Sequence, residues 1–286
     1  MTPEENQKKQ VKEFYDAIGA FYDKFYYDSK ASPYYHYGQK IIAEIIDNEI
    51  TSDKFILDAG CGTMHWTIYL AKKGHKVVGL DISKGMITAG RNKIKTEKII
   101  GKSIDIVIAD VANLPFRDST FSSVISLFGV LNHLPDHKKA LAEITRVTKV
   151  GGKVIVGVSN YLRGGSRSFW DSVSLFKSSR MRDEHKERKW DFEFESKQLR
   201  LYQHLFTYDE LKLCLQSQGL TIKKIVGVPI IPMPRVLREK YKTVCRILLV
   251  ILSPFEKPLR SIKFLNIRGG YLLAIGLNSG KQSELI

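Results

Sequence analysis

The fold of this chain is decided by residues 55–64, which read Phe55-Ile56-Leu57-Asp58-Ala59-Gly60-Cys61-Gly62-Thr63-Met64. An apolar run typical of a buried strand leads directly into a glycine-containing turn, and a helical pattern follows it. Gly60 and Gly62 let the backbone approach a ligand closely, in conformations that residues with side chains avoid. In a doubly wound sheet, ligands lie outside the carboxyl ends of the strands. The stretch therefore predicts a ligand-binding turn at the edge of a parallel sheet.

Strand-like and helix-like segments alternate from residue 54 onward, in the rhythm of βαβ units that build a parallel sheet. The predicted strands span residues 54–59, 76–82, 103–110, 123–128, 153–158, 221–228 and 270–277. The predicted helices span residues 64–73, 84–95, 136–149 and 211–218. We expect Gly151 and Gly152 to end the third of these helices. The pattern predicts an α/β fold with a doubly wound sheet.

Two insertions interrupt this pattern. Residues 160–206 contain a charge-dense stretch and then two alternating runs, 190–194 and 199–205, which predict a hairpin with one apolar face. Residues 229–269 carry apolar positions at helical spacing and predict an amphipathic helix. The sequence predicts four segments. Residues 1–53 form a helical segment that covers the ligand site, residues 54–159 form the ligand-binding core, and residues 160–206 form a substrate cap. Residues 207–286 form the remainder of the core and include the basic amphipathic insertion 229–269.

The glycine turn departs from the fingerprint of dinucleotide-binding proteins. The third glycine position of G-x-G-x-x-G is His65, and Asp58 would repel a pyrophosphate. A cationic, aminated ligand fits better. Asp81 ends the second strand, where a carboxylate can bridge two ribose hydroxyls, and Asp110 ends the third, where it can accept from an adenine amine. Together these acids predict an adenosine with a positively charged appendage.

In these features the chain resembles the class I S-adenosylmethionine-dependent methyltransferases, especially the branch similar to ubiquinone and menaquinone biosynthesis methyltransferases. The matching stretches are Leu57-Asp58-Ala59-Gly60-Cys61-Gly62-Thr63, Gly79-Leu80-Asp81-Ile82-Ser83 with Met86, Asp110-Val111-Ala112-Asn113-Leu114-Pro115-Phe116, Phe128-Gly129-Val130-Leu131-Asn132-His133-Leu134 and residues 140–152. The resemblance implies a Rossmann-like seven-stranded sheet whose last strand is antiparallel, with S-adenosyl-L-methionine as cofactor. Met64 replaces a frequent third glycine, so we expect a slightly displaced helix start.

The resemblance also implies the cofactor contacts. It puts Asp58, Gly60, Gly62 and Thr63 around the methionine part, Asp81 on the ribose, Ile82 and Met86 against the adenosine, and Asp110 with Val111 at the adenine edge. Leu127 would meet the cofactor near its sulfonium, and Tyr22 resembles the N-terminal tyrosine that covers it. The alternative is that Tyr22 packs in the core. It belongs to an N-terminal apolar stripe at helical spacing, which consists of Phe14, Tyr15, Ile18, Phe21, Tyr22 and Phe25.

Methyl transfer is an in-line displacement, so the enzyme chiefly aligns the nucleophile and excludes water. A general base helps with phenols, amines and acidic carbons, and histidine suits this task because its pKa lies near neutrality. The candidate catalytic residues are Asn132, His133 and His204. The structural alternatives are packing or capping for His133 and a solvent-facing position on the hairpin for His204.

Positive charge is concentrated in the C-terminal half. The net charge is +15; residues 1–159 hold 22 basic and 18 acidic side chains, and residues 160–268 hold 22 and 11. Such an excess attracts nucleic acid or an anionic membrane surface. Residues 229–268 combine nine basic and two acidic residues with the amphipathic helix, which suits docking on an anionic membrane and delivery to a lipid-soluble acceptor. The alternative is a helix that packs on the sheet.

Three hypotheses for function remain open at this point. The first is methylation of a small-molecule acceptor that is lipid-soluble or quinone-like. The second is RNA methylation, which is disfavoured because the aromatic residues of 190–206 alternate with acidic ones and no RNA-binding module is recognisable. The third is a regulator that binds S-adenosylmethionine without catalysis.

Composition excludes several classes of protein. With 286 residues, 43% apolar and 26% charged, the chain is neither collagen-like nor wholly disordered. Its longest aliphatic run, 247–252, is far short of the roughly 20 residues that span a bilayer. The polar N-terminus has no apolar segment behind it, and three cysteines form neither a disulfide framework nor a metal-ligand cluster. We expect a cytoplasmic, peripherally membrane-associated protein with free thiols and no metal site.

Overall fold

The computed structural model of the chain describes residues 1–28, 33–51, 55–97, 99, 103–162, 187–194 and 197–280. Its helices are α1 (Pro3–Ile18), α2 (Tyr22–Tyr26), α3 (Pro33–Glu49), α4 (His65–Lys72), α5 (Lys84–Thr96), α6 (His137–Val147), α7 (Tyr208–Ser217), α8 (Arg235–Glu239), α9 (Lys242–Arg260) and α10 (Lys263–Asn266). Its strands are β1 (Phe55–Ala59), β2 (Lys76–Asp81), β3 (Ile104–Ile108), β4 (Phe121–Ser126), β5 (Thr148–Ser159), β6 (Glu187–Phe194), β7 (Lys197–His204), β8 (Leu220–Val228) and β9 (Tyr271–Asn278).

A seven-stranded sheet with the order β3-β2-β1-β4-β5-β9-β8 forms the centre of the fold. The first five strands pair in parallel, and β9 runs antiparallel between β5 and β8. Strand order reverses between β1 and β4, so the carboxyl ends of these strands border a crevice. The predicted Rossmann-like, doubly wound sheet with an antiparallel last strand is confirmed.

Alternate residues of β1 supply the two cores that cover the sheet. Leu57 packs on one face with α6, whose apolar stripe is fully buried. Ile56 packs on the other face with α3, where Ile42, Ile45 and Ile46 are buried. Side chains alternate across a strand and recur every three to four residues along a helix, so these periodicities join sheet and helices. Burying both faces fixes the position of the strand ends that border the crevice.

Helix α6 ends earlier than predicted, at Val147 rather than at the glycine pair. Thr148 already pairs with Phe121 of β4, and β5 runs on through both glycines. Gly151 has φ +76°, and a Cβ on Gly152 would lie within 3 Å of backbone oxygens. The two glycines therefore bend a strand that passes close to β4, and they do not cap the helix.

The predicted N-terminal apolar stripe is divided between α1 and α2. The break falls at Gly19, where a Cβ would lie 2.6 Å from the carbonyl carbon of Gly85. The end of α1 therefore sits directly against the start of α5, an approach that only glycine permits.

The predicted hairpin is present as β6 and β7, which pair antiparallel with Trp190 opposite Leu201. Leu199 and Leu201 are buried against Val11 and Phe14 of α1. Residues 163–186 of the predicted cap, including much of its charge-dense stretch, lie outside the described residues.

The second insertion, 229–269, leaves the sheet and returns to it at neighbouring positions, which we call the neck. Val228 pairs with Tyr271, which in turn pairs with Ser159 at the end of β5. Gly227 and Gly269 face each other so closely that a Cβ on Gly227 would lie 2.9 Å from the Cα of Gly269. The Gly227 N–H donates to the Asn266 side chain over 2.7 Å.

The predicted amphipathic helix forms as α8 and α9, and α9 packs on α3. Cys245 and Leu249 of α9 are buried against Tyr34 of α3. Glu256 is buried and accepts from the N–H groups of Ile230 and Ile231. Cys61, Cys214 and Cys245 are free, buried thiols. Within the described ranges, no helix has both the length and the hydropathy needed to cross a bilayer.

Candidate active site

A pocket opens where the strand order reverses, between the carboxyl ends of β1, β2 and β4 and the helices α1 and α2. Eleven of the fourteen predicted site residues line it: Tyr22, Asp58, Gly60, Gly62, Asp81, Ile82, Met86, Asp110, Val111, Leu127 and His133. The other three, Thr63, Asn132 and His204, lie outside that lining. The structure thus gathers one continuous surface from residues that are scattered over more than a hundred positions.

The glycine turn after β1 forms the floor of the pocket. Gly60 has φ +83°, and a Cβ there would lie 2.3 Å from the Val130 side chain, so a side chain is excluded. The N–H groups of Gly60 and Cys61 both donate to the Leu80 carbonyl, which fixes the turn against β2. These contacts leave the backbone exposed to a ligand at close range.

Met64 takes the place of a third glycine, and its backbone keeps the left-handed conformation (φ 63°). Helix α4 begins at the next residue. The Met64 side chain is fully buried above Gly90, where a Cβ would lie 2.7 Å from the Met64 Cγ. Gly90 of α5 thus provides the space that Met64 requires.

Three carboxyl groups lie near the carboxyl ends of β1, β2 and β3: Asp58 within β1, Asp81 as the last residue of β2, and Asp110 two residues after β3. Asp58 is 2% exposed and accepts from the Thr67 hydroxyl over 2.7 Å. Burial raises the pKa of the Asp58 carboxyl to about 7, and the nearby Asp81 acts in the same direction. Asp81 accepts from the Gly62 and Ser83 N–H groups, and burial raises its pKa as well.

Asp58 and Asp81 have no salt bridge to a described residue, whereas Asp110 pairs with Lys8 of α1. A buried carboxyl without a cation is held towards its neutral form. A cation placed beside Asp58 would stabilise the ionised form and lower its pKa. The electrostatics of the pocket therefore favour a positively charged ligand.

Helices α1 and α2 are fastened over the pocket by acidic side chains that sequence analysis missed. Asp16 accepts from the Ser83 hydroxyl over 2.7 Å and from the Gly85 N–H over 3.0 Å. Asp23 of α2 binds the Thr63 hydroxyl and Lys93. Thr63 therefore holds the covering helices, which explains its position outside the pocket lining.

Aromatic side chains form the opposite wall. Tyr22 lines the pocket and also packs on Tyr15 and Tyr26, with ring centroids 6.3 and 4.6 Å away. Tyr15, Tyr27, Trp66 and Phe128 complete this wall and were missed by sequence analysis. Burial raises the pKa values of Tyr15, Tyr22 and Tyr27 well above the ordinary value, so the phenols stay neutral. The wall is therefore apolar and uncharged.

His133 stands at the aromatic side of the pocket. Its Nδ1 lies 2.7 Å from the Tyr202 carbonyl oxygen, so this nitrogen carries the proton and donates. Burial lowers the pKa of His133 to about 4, and the ring is neutral at pH 7. Its Nε2 is therefore the nitrogen with a free lone pair.

Asn132 has a structural position. It is fully buried, its amide nitrogen donates to the carbonyls of Ser159 and His204, and its oxygen accepts from the Ser159 N–H over 2.8 Å. The side chain thereby ties the loop after β4 to β5 and β7. Every polar atom of this side chain is engaged by the backbone, so we withdraw Asn132 as a catalytic candidate.

His204 is buried and faces away from the pocket, in contrast to both sequence-based interpretations. Its Nε2 lies 2.7 Å from Glu210, and its ring packs on Phe206. Among the described residues, one group that could ligate an ion is His137, His204 and Glu210, whose donor atoms lie within 4.8 Å of one another. Glu210 also accepts from the Thr207 N–H at the start of α7. We therefore withdraw His204 as a catalytic candidate.

Residues 57–156 match the family model of a methyltransferase domain. Over 232 residues the chain is 30% identical to the uncharacterized protein MJ1252 of Methanocaldococcus jannaschii, a match that covers 80% of this chain and 83% of that protein. Over 102 residues it is 43% identical to the demethylmenaquinone methyltransferase of Bacillus cereus. That second match covers 35% of this chain and 42% of the enzyme, so it spans less than half of the curated relative.

The fold is similar to that of the 1,6-didemethyltoxoflavin-N1-methyltransferase of Burkholderia thailandensis, which was solved with 1,6-didemethyltoxoflavin and S-adenosylhomocysteine bound. The TM-score is 0.58 at 14% identity, and the similarity covers 98% of this chain and 92% of that one. At this level of identity the likeness concerns the fold.

Proposed function

This chain belongs to the class I S-adenosylmethionine-dependent methyltransferases, and from the pocket we propose that it methylates a small, apolar, quinone-like acceptor. The pocket lining supports this proposal because it combines two chemically different sets of residues, which we call its two halves. Buried carboxyls and a glycine turn form one half, and neutral aromatic rings with His133 form the other. The first half suits a cationic nucleoside, and the second suits a flat apolar molecule.

S-adenosyl-L-methionine is the cofactor of this family, and the residues of the first half fit it. The glycine turn presents backbone where a Cβ would collide, and Asp58 lacks the cation that would lower its raised pKa. We assign Asp58, Gly60 and Gly62 to the methionine part, Asp81 to the ribose, Ile82 and Met86 to the adenosine, Asp110 and Val111 to the adenine edge, and Leu127 to the vicinity of the sulfonium.

When bound, S-adenosyl-L-methionine supplies an electrophilic methyl group on a cationic sulfur. The chain's part is to orient the acceptor and exclude water. Tyr22 and Tyr27 close the pocket from the side of α2, and their phenols stay protonated. Phe128 and Trp66 stack with ring planes 15° apart and offer a flat surface. These rings hold an apolar acceptor more readily than a charged one.

His133 accepts the proton that an acidic acceptor loses. The bond from Nδ1 to the Tyr202 carbonyl fixes the tautomer, so Nε2 is free to accept. Because burial lowers the pKa of His133 to about 4, the ring is neutral at pH 7 and Nε2 can accept a proton as the methyl group is transferred.

The test supplies the purified protein with methyl-labelled S-adenosylmethionine and separate lipid, aqueous and RNA fractions of a cell extract. We expect labelled product in the lipid fraction, and His133→Gln to reduce its rate by about 10²-fold or more while the cofactor Kd is unchanged. His36→Gln on α3 is the matched control. Label only in RNA would favour RNA methylation, and tight cofactor binding without any product would favour a regulator; either result would contradict the proposal.

A further inference from the structure

Helix α9 has two apolar sides, and only one of them is packed. The inner side buries Cys245 and Leu249 against α3. The outer side carries five large apolar residues that are 45% to 68% exposed: Val244, Ile247, Val250, Ile251 and Phe255. Their spacing of one, three or four residues places them together on one side of the helix, which we call the outer face of α9. A water-soluble helix normally presents polar side chains there.

The charges around the outer face are mainly positive, and Glu239 next to Lys240 is an exposed acid at one end. The single acidic residue of α9, Glu256, belongs to the inner side, where it is buried and holds two backbone N–H groups. Arg246 and Lys257 are exposed at the edge of the outer face. Lys240 and Lys263 stand exposed just beyond its two ends. An apolar strip bordered by cations is the pattern of a helix that lies in the plane of an anionic membrane surface.

The insertion that carries the outer face is attached at the same edge of the sheet as the pocket. The insertion that carries α9 departs after Val228 and returns at Tyr271, which pairs with Ser159 at the carboxyl end of β5. The Tyr271 ring packs on Phe128, a residue of the pocket wall, at a centroid distance of 5.7 Å. The insertion and the aromatic half of the pocket therefore meet at this edge.

We propose that the outer face of α9 docks the enzyme on an anionic lipid bilayer. The apolar side chains enter the boundary between headgroups and acyl chains, and Arg246 and Lys257 contact lipid phosphates. The inference deepens the proposed function and rests on it for the acceptor: a lipid-soluble acceptor reaches the aromatic half of the pocket from the membrane.

Charge favours a membrane over a second copy of the chain. In a two-fold dimer through the outer face, the same surface meets itself, so both molecules would bring Arg246 and Lys257 to the interface, and α9 exposes no acidic residue to pair with them. Anionic headgroups complement these cations.

The experiment measures co-sedimentation of the full chain with phosphatidylglycerol-containing vesicles and with pure phosphatidylcholine vesicles, at low and high salt. We expect binding to the anionic vesicles that falls with salt. The double variant Ile251→Asp/Phe255→Ser should bind at least about tenfold more weakly. Leu213→Ser, which removes an equally exposed leucine from α7, is the matched control and should bind like the parent protein.

Two results would overturn the docking proposal: a parent protein that ignores anionic vesicles, or a double variant that binds them as the parent does. A parent that sediments alone as a dimer, and becomes monomeric in the double variant without any vesicle binding, would assign the outer face to a second copy. Calorimetry with S-adenosylhomocysteine on each variant shows that the pocket is folded. Because this measurement does not depend on vesicles, loss of docking with normal cofactor binding leaves the proposed function standing.

Discussion

Replacing Asp58 by asparagine should remove one charge from the pocket and leave the fold in place. The amide oxygen introduced by Asp58→Asn can still accept from the Thr67 hydroxyl, as the carboxyl of Asp58 does over 2.7 Å. Burial raises the pKa of Asp58 to about 7, so a cationic cofactor must bind the carboxylate in competition with a proton. The affinity of the parent protein should therefore rise with pH, and that of Asp58→Asn should not.

The pKa sets the size of this effect. With a value of about 7, close to a tenth of the carboxyl groups are ionised at pH 6 and nine tenths at pH 8. The Kd for S-adenosylmethionine should then fall about tenfold from pH 6 to pH 8 in the parent protein. At pH 8 the substitution should cost about 1.5 to 3 kcal/mol of binding free energy, the range for a lost hydrogen bond to a charged group.

The assay is isothermal titration calorimetry at three pH values between 6 and 8, with Asp105→Asn on the exposed surface of β3 as the control. Comparing variants at each pH cancels the titration of the ligand's own amine. A parent Kd that is the same at both ends of this range, together with an unchanged Kd in Asp58→Asn, would falsify the assignment of Asp58 to the cationic part of the cofactor.

Three further outcomes are expected. In the cofactor-free protein the folded state raises the pKa of Asp58, so the protein loses stability as the pH rises from about 4 through 7. Asp58→Asn removes this loss. In denaturant titrations the substitution should increase the free energy of unfolding by on the order of 2 to 4 kcal/mol at pH 8, and by less than half of that at pH 5. Gly85→Ala on α5 should place a Cβ 2.2 Å from the Asp16 carbonyl oxygen and loosen the packing of α1. Hydrogen exchange would detect this as faster exchange in α1 alone. Thr88→Ala, also on α5, should have no such effect. Because burial lowers the pKa of His133 to about 4, protonation of this ring should not reduce the rate of methyl transfer at saturating substrates between pH 8 and 6. A decline of the rate centred near pH 6.5 that disappears in His133→Gln would contradict a buried, neutral imidazole.

The half of the pocket that consists of carboxyls and the glycine turn was predictable because its residues are local to strand ends. A glycine turn after a strand, and an acid at the end of each neighbouring strand, meet at one edge once the sheet is parallel. Gly60, Asp81 and Asp110 follow this rule, and all three line the pocket.

The cover over the pocket was not predictable in this way. Asp16 and Ser83 are 67 positions apart, and nothing in the pattern around either residue indicates the other. The same limit applies to Asp23 and Thr63, whose contact turns a residue of the glycine motif towards α2.

The histidine and asparagine candidates show what residue type leaves undetermined. Asn132 and His133 are neighbours in sequence, yet one is fixed by backbone groups and the other lines the pocket. Which way a polar side chain turns depends on the acceptors that the folded backbone presents, here the carbonyls of Ser159 and Tyr202. Spacing alone carries no such information.

The narrow neck at Gly227 and Gly269 suggests how members of this family could diversify. The segment from Pro229 to Arg268 leaves the sheet and returns to it at neighbouring positions, where Gly227 and Gly269 approach too closely for a side chain on either one. A segment attached in this manner can be lengthened, shortened or exchanged for another without re-registering a strand. Natural variation or a laboratory graft at that junction would change the surface next to the pocket while the sheet stayed the same.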